Sequence, residues 1–190
     1  MKLLWIDTET TGTDHTRHAV VQIAGIVEID GQLMEEFEFF AKPHEGAQIE
    51  EQALAVIGKT REQISAYPAA SEAYSKLIRI IQKYVPKYTK DVNQRFKIAG
   101  QNTHFDYTMM EEFWRLNGDR YWYASVDKRG IDVVLASALM KTAGAIDVTD
   151  LKLATICKAL SIELDAHNAL NDIRATRKIW NLYAKMIKKG

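Results

Sequence analysis

The chain reads as a single α/β domain over residues 1–190, built on a mixed five-stranded sheet flanked by helices. Three observations predict it. Apolar, β-rich runs crowd the first forty residues, and a turn dipeptide, Asp30-Gly31, divides two of them. Beyond Pro43 apolar residues recur every three or four positions, with two more short β-rich stretches in between. Strands gathered early and then alternating with helices make a sheet of mixed direction.

The elements follow in order. Lys2 to Asp7 reads as a buried strand ending in acids, and Val20–Ile29 and Leu33–Ala41 form a hairpin. Asp-Gly suits that turn because both of its central residues take positive φ. Ile49–Ile57 is a short helix that Gly58 ends, since glycine enters the left-handed conformation without steric cost. Ala69–Val85 is a longer helix, with Tyr74, Leu77, Ile78, Ile81 and Val85 on one stripe. Phe96–Ala99 is a strand, Thr103–Leu116 a helix closed by Asn117-Gly118, and Tyr121–Val126 a fifth strand. Helices near Asp132–Lys141, Asp150–Leu160 and Ala169–Lys188 complete the chain.

Composition narrows the class. The sequence is 47% hydrophobic and 26% charged, as in ordinary globular proteins. Lys plus Arg equals Asp plus Glu, 25 each, so no global positive field announces a polyanion partner. Such a partner would require locally sorted charge. Cys157 is the one cysteine, and its spacing with Leu153, Ile156 and Leu160 marks it as a buried hydrophobe on a helix. No stretch is long enough to span a bilayer, the opening apolar run is too short for a signal peptide, and the expected location is cytoplasmic.

Four acids stand where bulk patterning does not call for them. Asp7 and Glu9 are two apart, so on a strand they point the same way, on the face shared by Leu3 and Trp5. Asp106 stands three residues ahead of Met109 on a core-facing stripe. Asp172 lies in the first turn of the last helix, with Asn168 as its N-cap and His167 in the preceding loop. Each has an ordinary account: turn chemistry, helix-dipole charge, helix-dipole charge again. Together they place carboxylates from a strand end and two helix starts at the edge of one core. A pair of such charges about 4 Å apart repels by ~4 kcal/mol at an effective dielectric of 20. Two divalent cations would cancel four of them, and an all-oxygen set favours Mg²⁺ or Mn²⁺ over zinc.

The same residues form three motifs in order: Asp7-Thr8-Glu9-Thr10-Thr11-Gly12, Asn102-Thr103-His104-Phe105-Asp106, and His167-Asn168-Ala169-Leu170-Asn171-Asp172. In this the chain resembles the DnaQ-like, or DEDDh, 3′→5′ exonucleases, whose fold is ribonuclease H-like. The resemblance spans nearly the whole chain. It implies that Asp7, Glu9, Asp106 and Asp172 hold two metal ions, that His167 is the general base, and that Asn102 belongs to the substrate site. It also implies that the backbone around Thr10 and Thr11 lies near the terminal nucleotide, free N–H groups being the physical reason. The activity implied is hydrolysis of phosphodiesters from a 3′ end of single-stranded nucleic acid, releasing nucleoside 5′-monophosphates. DNA is slightly favoured as substrate, and an exoribonuclease that trims tRNA or degrades short oligoribonucleotides is the alternative. An endonuclease of the same architecture and a non-catalytic polymerase-partner module are the remaining rivals; a polymerase or homodimer partner is not readable from the sequence.

Two departures from the family pattern stand out. Gln22-Ile23-Ala24 occupies a segment where many relatives have Glu before Ile-Gly, and reads as sheet packing. Ile57-Gly58-Lys59-Thr60 replaces a His-Gly-Ile-Thr segment that helps hold the terminal nucleotide, so the grip on that nucleotide should differ here. A basic run, Lys83, Lys87, Lys90, Arg95 and Lys97, interleaved with Tyr84 and Tyr88, reads as a solvated helix end rather than a strand-binding patch.

Overall fold

The computed structural model describes residues 1–165 and 168–189. Its sheet has the order β3-β2-β1-β4-β5, formed by β1 (Lys2–Thr10), β2 (Val20–Ile29), β3 (Gln32–Phe40), β4 (Phe96–Gly100) and β5 (Val126–Asp132). The first three strands are antiparallel neighbours, while β4 runs parallel to both β1 and β5. The sheet is therefore mixed, as its sequence predicts. Asp30 and Gly31 do take positive φ, 52° and 84°, and close the β2–β3 hairpin.

Helices cover both faces. On one side α3 (Ala70–Tyr84) and α4 (Thr103–Leu116) pack Leu77, Ile81, Met110 and Trp114 against Leu4, Ile6 and Ile98. On the other, α6 (Val133–Thr142), α7 (Leu153–Ala159) and α8 (Ala169–Lys189) bury Cys157, Ile173, Ile179 and Tyr183 against Leu3, Trp5 and Ala99. Alternation along β1 sends Leu4 and Ile6 to one core and Leu3 and Trp5 to the other. A smaller cluster, Val21, Leu54, Ile57 and Ile64, seats α1 (Glu51–Ile57) and α2 (Arg61–Ser65). Gly58 ends α1 at φ 64°. Among the described residues no helix is long and apolar enough to cross a membrane.

Three local expectations need correction. Tyr121–Val126 is not a strand: Trp122–Ser125 is one helical turn, α5, and the fifth strand begins at Val126. Aromatic residues with high β-propensity drew the strand too early; Trp122 is buried against Trp114, their ring centroids 4.7 Å apart. The helix α2 was not expected, yet Thr60 and Gln63 form a capping box, with donor–acceptor distances of 3.2 and 2.8 Å. The helix expected from Asp150 begins at Leu153; Asp150 instead accepts from the Lys152 N–H at 2.9 Å. The basic run is largely spent on intramolecular partners. Lys83 pairs with Glu35, Lys97 pairs with Asp127, and Arg95 donates to the carbonyls of Tyr123 and Thr89.

Candidate active site

Strand β1 runs four residues past its apolar run, and this extension carries both Asp7 and Glu9 on one face beyond the end of β4 pairing. Opposite them α8 starts. Asn168 caps it, accepting from the Asn171 N–H at 3.1 Å through its side chain and from the Asp172 N–H at 2.9 Å through its carbonyl. Buried Ala169 and Ile173 hold that first turn on the sheet, which aims Asp172 at β1. Carboxylate oxygens of Asp7, Glu9 and Asp172 lie within 4.8 Å of one another.

Asp106 takes a different position. It is only 3% exposed, and its Oδ1 accepts from both the backbone N–H of Thr8 at 2.9 Å and the Thr8 hydroxyl at 2.7 Å. It stands outside the group of three, among the described residues, with one oxygen committed to β1. Its charge is nevertheless felt at Asp7. Burial, followed by the charges of Asp106, Glu9 and Asp172, holds the Asp7 carboxyl well above the ordinary carboxylate range. Burial and Asp172 push Glu9 up to about 7. Burial also raises Asp106 to about 7, against the lowering effect of the two Thr8 hydrogen bonds. A strand end and two helix starts thus deliver acids to a place where water is scarce and like charges crowd.

The start of α4 is held by a residue whose reach the sequence did not reveal. Asp132 caps α6, accepting from the Val134 N–H at 2.9 Å, as its position predicts. It also accepts from the backbone N–H groups of Asn102 at 3.2 Å and Thr103 at 3.0 Å. One carboxylate therefore ties together the starts of two helices. Asn102 itself sits in the left-handed conformation, φ 60°, at the sharp entry to α4.

Thr10 and Thr11 do not present themselves as expected. The Thr11 N–H is not free: it donates to the Ala19 carbonyl at 2.9 Å, and the fully buried Thr11 hydroxyl donates to the Gln48 carbonyl at 2.6 Å. The Thr10 hydroxyl donates to the Gly12 carbonyl at 2.7 Å. Hydrogen bonding here builds the loop, so the Thr11 N–H is not available to a ligand. Beside it lies a pocket of about 330 Å³, with Glu9 and Thr10 on one wall, Phe105 on another, and Ala53, Val56 and Ile57 on α1. His167, the expected base, lies outside the described residues. Gln22, as expected, is a packing residue: it is 6% exposed and donates to Glu38 at 2.9 Å.

Comparison with known proteins agrees with this architecture. The family model described as "Exonuclease" matches residues 4–180. The chain is 23% identical over 186 residues to the PolC-type DNA polymerase III of Oceanobacillus iheyensis, covering 96% of this chain and 11% of that protein. With the PolC-type polymerase of Thermotoga petrophila it is 22% identical over 191 residues, covering 97% and 12%. The chain thus spans about an eighth or less of the length of these relatives. Among solved structures, the E. coli exonuclease I complex with single-stranded DNA in its zinc-bound form superposes with a TM-score of 0.81 at 21% identity, covering 97% of this chain and 40% of that one. The exonuclease I of Methylocaldum szegediense gives 0.78 at 24% identity, with coverage of 97% and 40%. At such identities the structural likeness speaks for the fold, and it is that of the ribonuclease H-like exonucleases. With the family model spanning both cores and all the acids, the chain belongs to the exonuclease family, among its DnaQ-like members.

Proposed function

We propose that residues 1–190 form one exonuclease domain that hydrolyses phosphodiesters at the 3′ end of single-stranded DNA, releasing nucleoside 5′-monophosphates. One observation carries this reading. Three carboxylates from β1 and α8 converge within 4.8 Å, with a fourth fixed just behind them, beside a pocket that Phe105 and α1 close off.

The donor set suits hard divalent cations. It is all carboxylate oxygen, and its burial and crowding make the unbalanced anions costly. Asp7, Glu9, Asp106 and Asp172 would hold two ions, Mg²⁺ or Mn²⁺. When bound, these would polarise the phosphate, acidify the attacking water and stabilise the departing oxygen. The chain's own residues do the rest. Thr8 keeps Asp106 in one orientation, so no rotamer search precedes binding. His167, which precedes Asn168 in the sequence, takes the attacking water's proton on a ring nitrogen, because imidazole titrates near neutrality. Asn102 and the segment of Thr10 and Thr11 border the terminal nucleotide, with the apolar wall of Val56, Ile57 and Phe105 covering its base. That wall replaces the histidine-bearing segment of the family, so base contact rests on apolar surface.

DNA is favoured because the similar proteins are a DNA polymerase type and an exonuclease crystallised with single-stranded DNA. The test is a digestion panel. Single-stranded and duplex DNA and RNA, labelled at the 5′ end, are incubated with Mn²⁺ or Mg²⁺ or with a chelator, alongside circular single strands. The expected result is a ladder shortening one nucleotide at a time on single-stranded DNA, intact circles, and no reaction with chelator or with Asp7→Asn. Cleaved circles would replace the exonuclease with an endonuclease, and faster loss of RNA would make it an exoribonuclease. Unchanged activity of Asp7→Asn would overturn the site.

A further inference from the structure

Strand β5 lies at the sheet edge and is deformed there. Lys97 and Ala99, two apart on β4, pair with Asp127 and Ile131, four apart on β5. Two residues more than a regular ladder needs are therefore pushed out of the strand. This bulge is built rather than accidental. Asp127, 7% exposed, accepts from the Arg129 N–H at 3.0 Å, Nε at 3.1 Å and Nη2 at 3.0 Å, arching the chain over itself. Gly130 lies so close to β4 that a Cβ would stand 1.6 Å from the Ile98 carbonyl oxygen, so only glycine permits the return.

The bulge displays exposed Lys128 and Arg129 at a groove of about 480 Å³, whose other walls include His104, Leu135 and Trp180. Arg129 is partly engaged by Asp127, whereas Lys128 has no ion pair among the described residues. One acid lines the groove, Asp132, and its oxygens are taken up by the Asn102, Thr103 and Val134 N–H groups, while Asp127 beneath the bulge pairs with Lys97 and Arg129. Lys128 and the aromatic rings are the surfaces left open to a ligand. The groove also adjoins the acid site through the first turn of α4. His104 lines the groove, while Phe105, the next residue, lines the pocket beside Glu9.

We propose that this bulge groove holds the phosphodiester backbone of the substrate strand 5′ to the end being cut, with Lys128 as the principal phosphate contact and Trp180 and His104 as base-stacking surfaces. A cation beside exposed His104 and half-buried Trp180 suits a flexible single strand, whose phosphates and bases alternate along it. In a chain of balanced charge, this is how a polyanion can be held beside a cluster of acids. The proposal deepens the exonuclease reading and rests on it for the direction of the strand.

The test separates the two. Binding of 5′-fluorescein oligothymidylates, from three to sixteen nucleotides, is followed by fluorescence anisotropy in chelator, with cleavage silent. Hydrolysis of thymidine 5′-(p-nitrophenyl phosphate), a reporter too short to reach the groove, is measured with Mn²⁺. Lys128→Glu is expected to weaken binding of the longest oligonucleotide about tenfold, and that of the trimer less than twofold. Its neutral counterpart Lys128→Ala should lower the slope of log affinity against log salt by about 0.7, the value for one lost single-strand phosphate contact. Reporter hydrolysis should be unchanged in both, and the charge-matched control Lys76→Glu, on α3, should bind as the parent does. Equal affinity of Lys128→Glu and parent for the sixteen-mer would overturn the groove, whatever the reporter shows. A silent reporter in the parent would instead overturn the exonuclease reading and leave the binding result standing.

Discussion

Thr8 and Asp106, 98 positions apart, are joined twice at one atom: the threonine's N–H and its hydroxyl both donate to Oδ1 of the aspartate. This double bond to β1 fixes α4 to the strand that carries Asp7 and Glu9, and it opposes the rise that burial imposes on Asp106, whose carboxyl stands at about 7. Thr8→Val keeps the shape and one bond but removes the hydroxyl. A hydrogen bond to a charged acceptor contributes roughly 1.5–3 kcal/mol, or about one to two pH units. In chelator, the titration of the Asp106 carboxyl followed by NMR is therefore expected to move up by about one unit, with Thr8→Ser restoring it. An unshifted titration would mean that the hydroxyl only packs.

Metal-free protein should respond to acid in the opposite way from most proteins. Asp7, Glu9 and Asp106 all have raised folded-state values, Glu9 and Asp106 near 7. Between the ordinary carboxylate range and pH 7 the native state holds protons that the unfolded chain has released, so stability falls as pH rises through that window. Urea unfolding in chelator is expected to show a gain on going from pH 8 to 5.5, on the order of 1–3 kcal/mol after solvent screening. Glu9→Gln should flatten part of that dependence. A dependence that is flat, or of opposite sign, would show that the acids are not crowded as described.

Cations should do at pH 8 what protons do at lower pH. At a hundredfold excess over the dissociation constant, binding stabilises by about 2.7 kcal/mol, or roughly 5–10 °C in a domain of this size. Mn²⁺ is expected to raise the melting temperature by such an amount, chelator to reverse it, and Asp172→Asn to remove most of the rise. Calorimetry of the variant with and without Mn²⁺ decides the matter.

Gly12 has no room for a side chain. A Cβ there would meet the His18 ring at 2.4 Å, and that ring is fixed by the Asp14 N–H at 2.9 Å and lies 3.1 Å from a Glu50 oxygen. Gly12→Ala is expected to cost about 1–3 kcal/mol, as overpacked substitutions do, and to raise KM more than it lowers kcat, because Gly12 and Glu50 border the pocket proposed for the terminal nucleotide. A fall in kcat alone would place the strain at the acids instead.

Legibility in the sequence followed the range of the forces involved. The β2–β3 hairpin was readable because its turn chemistry is local, and the four acids were readable because each breaks a local pattern at a strand end or helix start. The Thr60–Gln63 capping box is equally local and stands in the sequence as Thr-x-x-Gln. Strand β5 was hidden for a different reason: its bulged Lys128, Arg129 and Gly130 carry no alternation, and the aromatic residues before it imitate a strand. The double duty of Asp132 and the Thr8–Asp106 bond arise only when distant segments meet, so no spacing rule announces them. The loss of the Thr11 N–H to Ala19 is of the same kind.

The central place of β1 has a dynamic corollary. Flanked by β2 and β4, and packed between two cores, the strand is expected to exchange its amide protons through global opening. The wall formed by α1 belongs instead to a satellite cluster of its own, whose amides are expected to exchange by local opening. On the proposed reading, the acids that cut stand on the molecule's most enclosed strand, while the wall offered to the terminal base belongs to a small cluster at its margin.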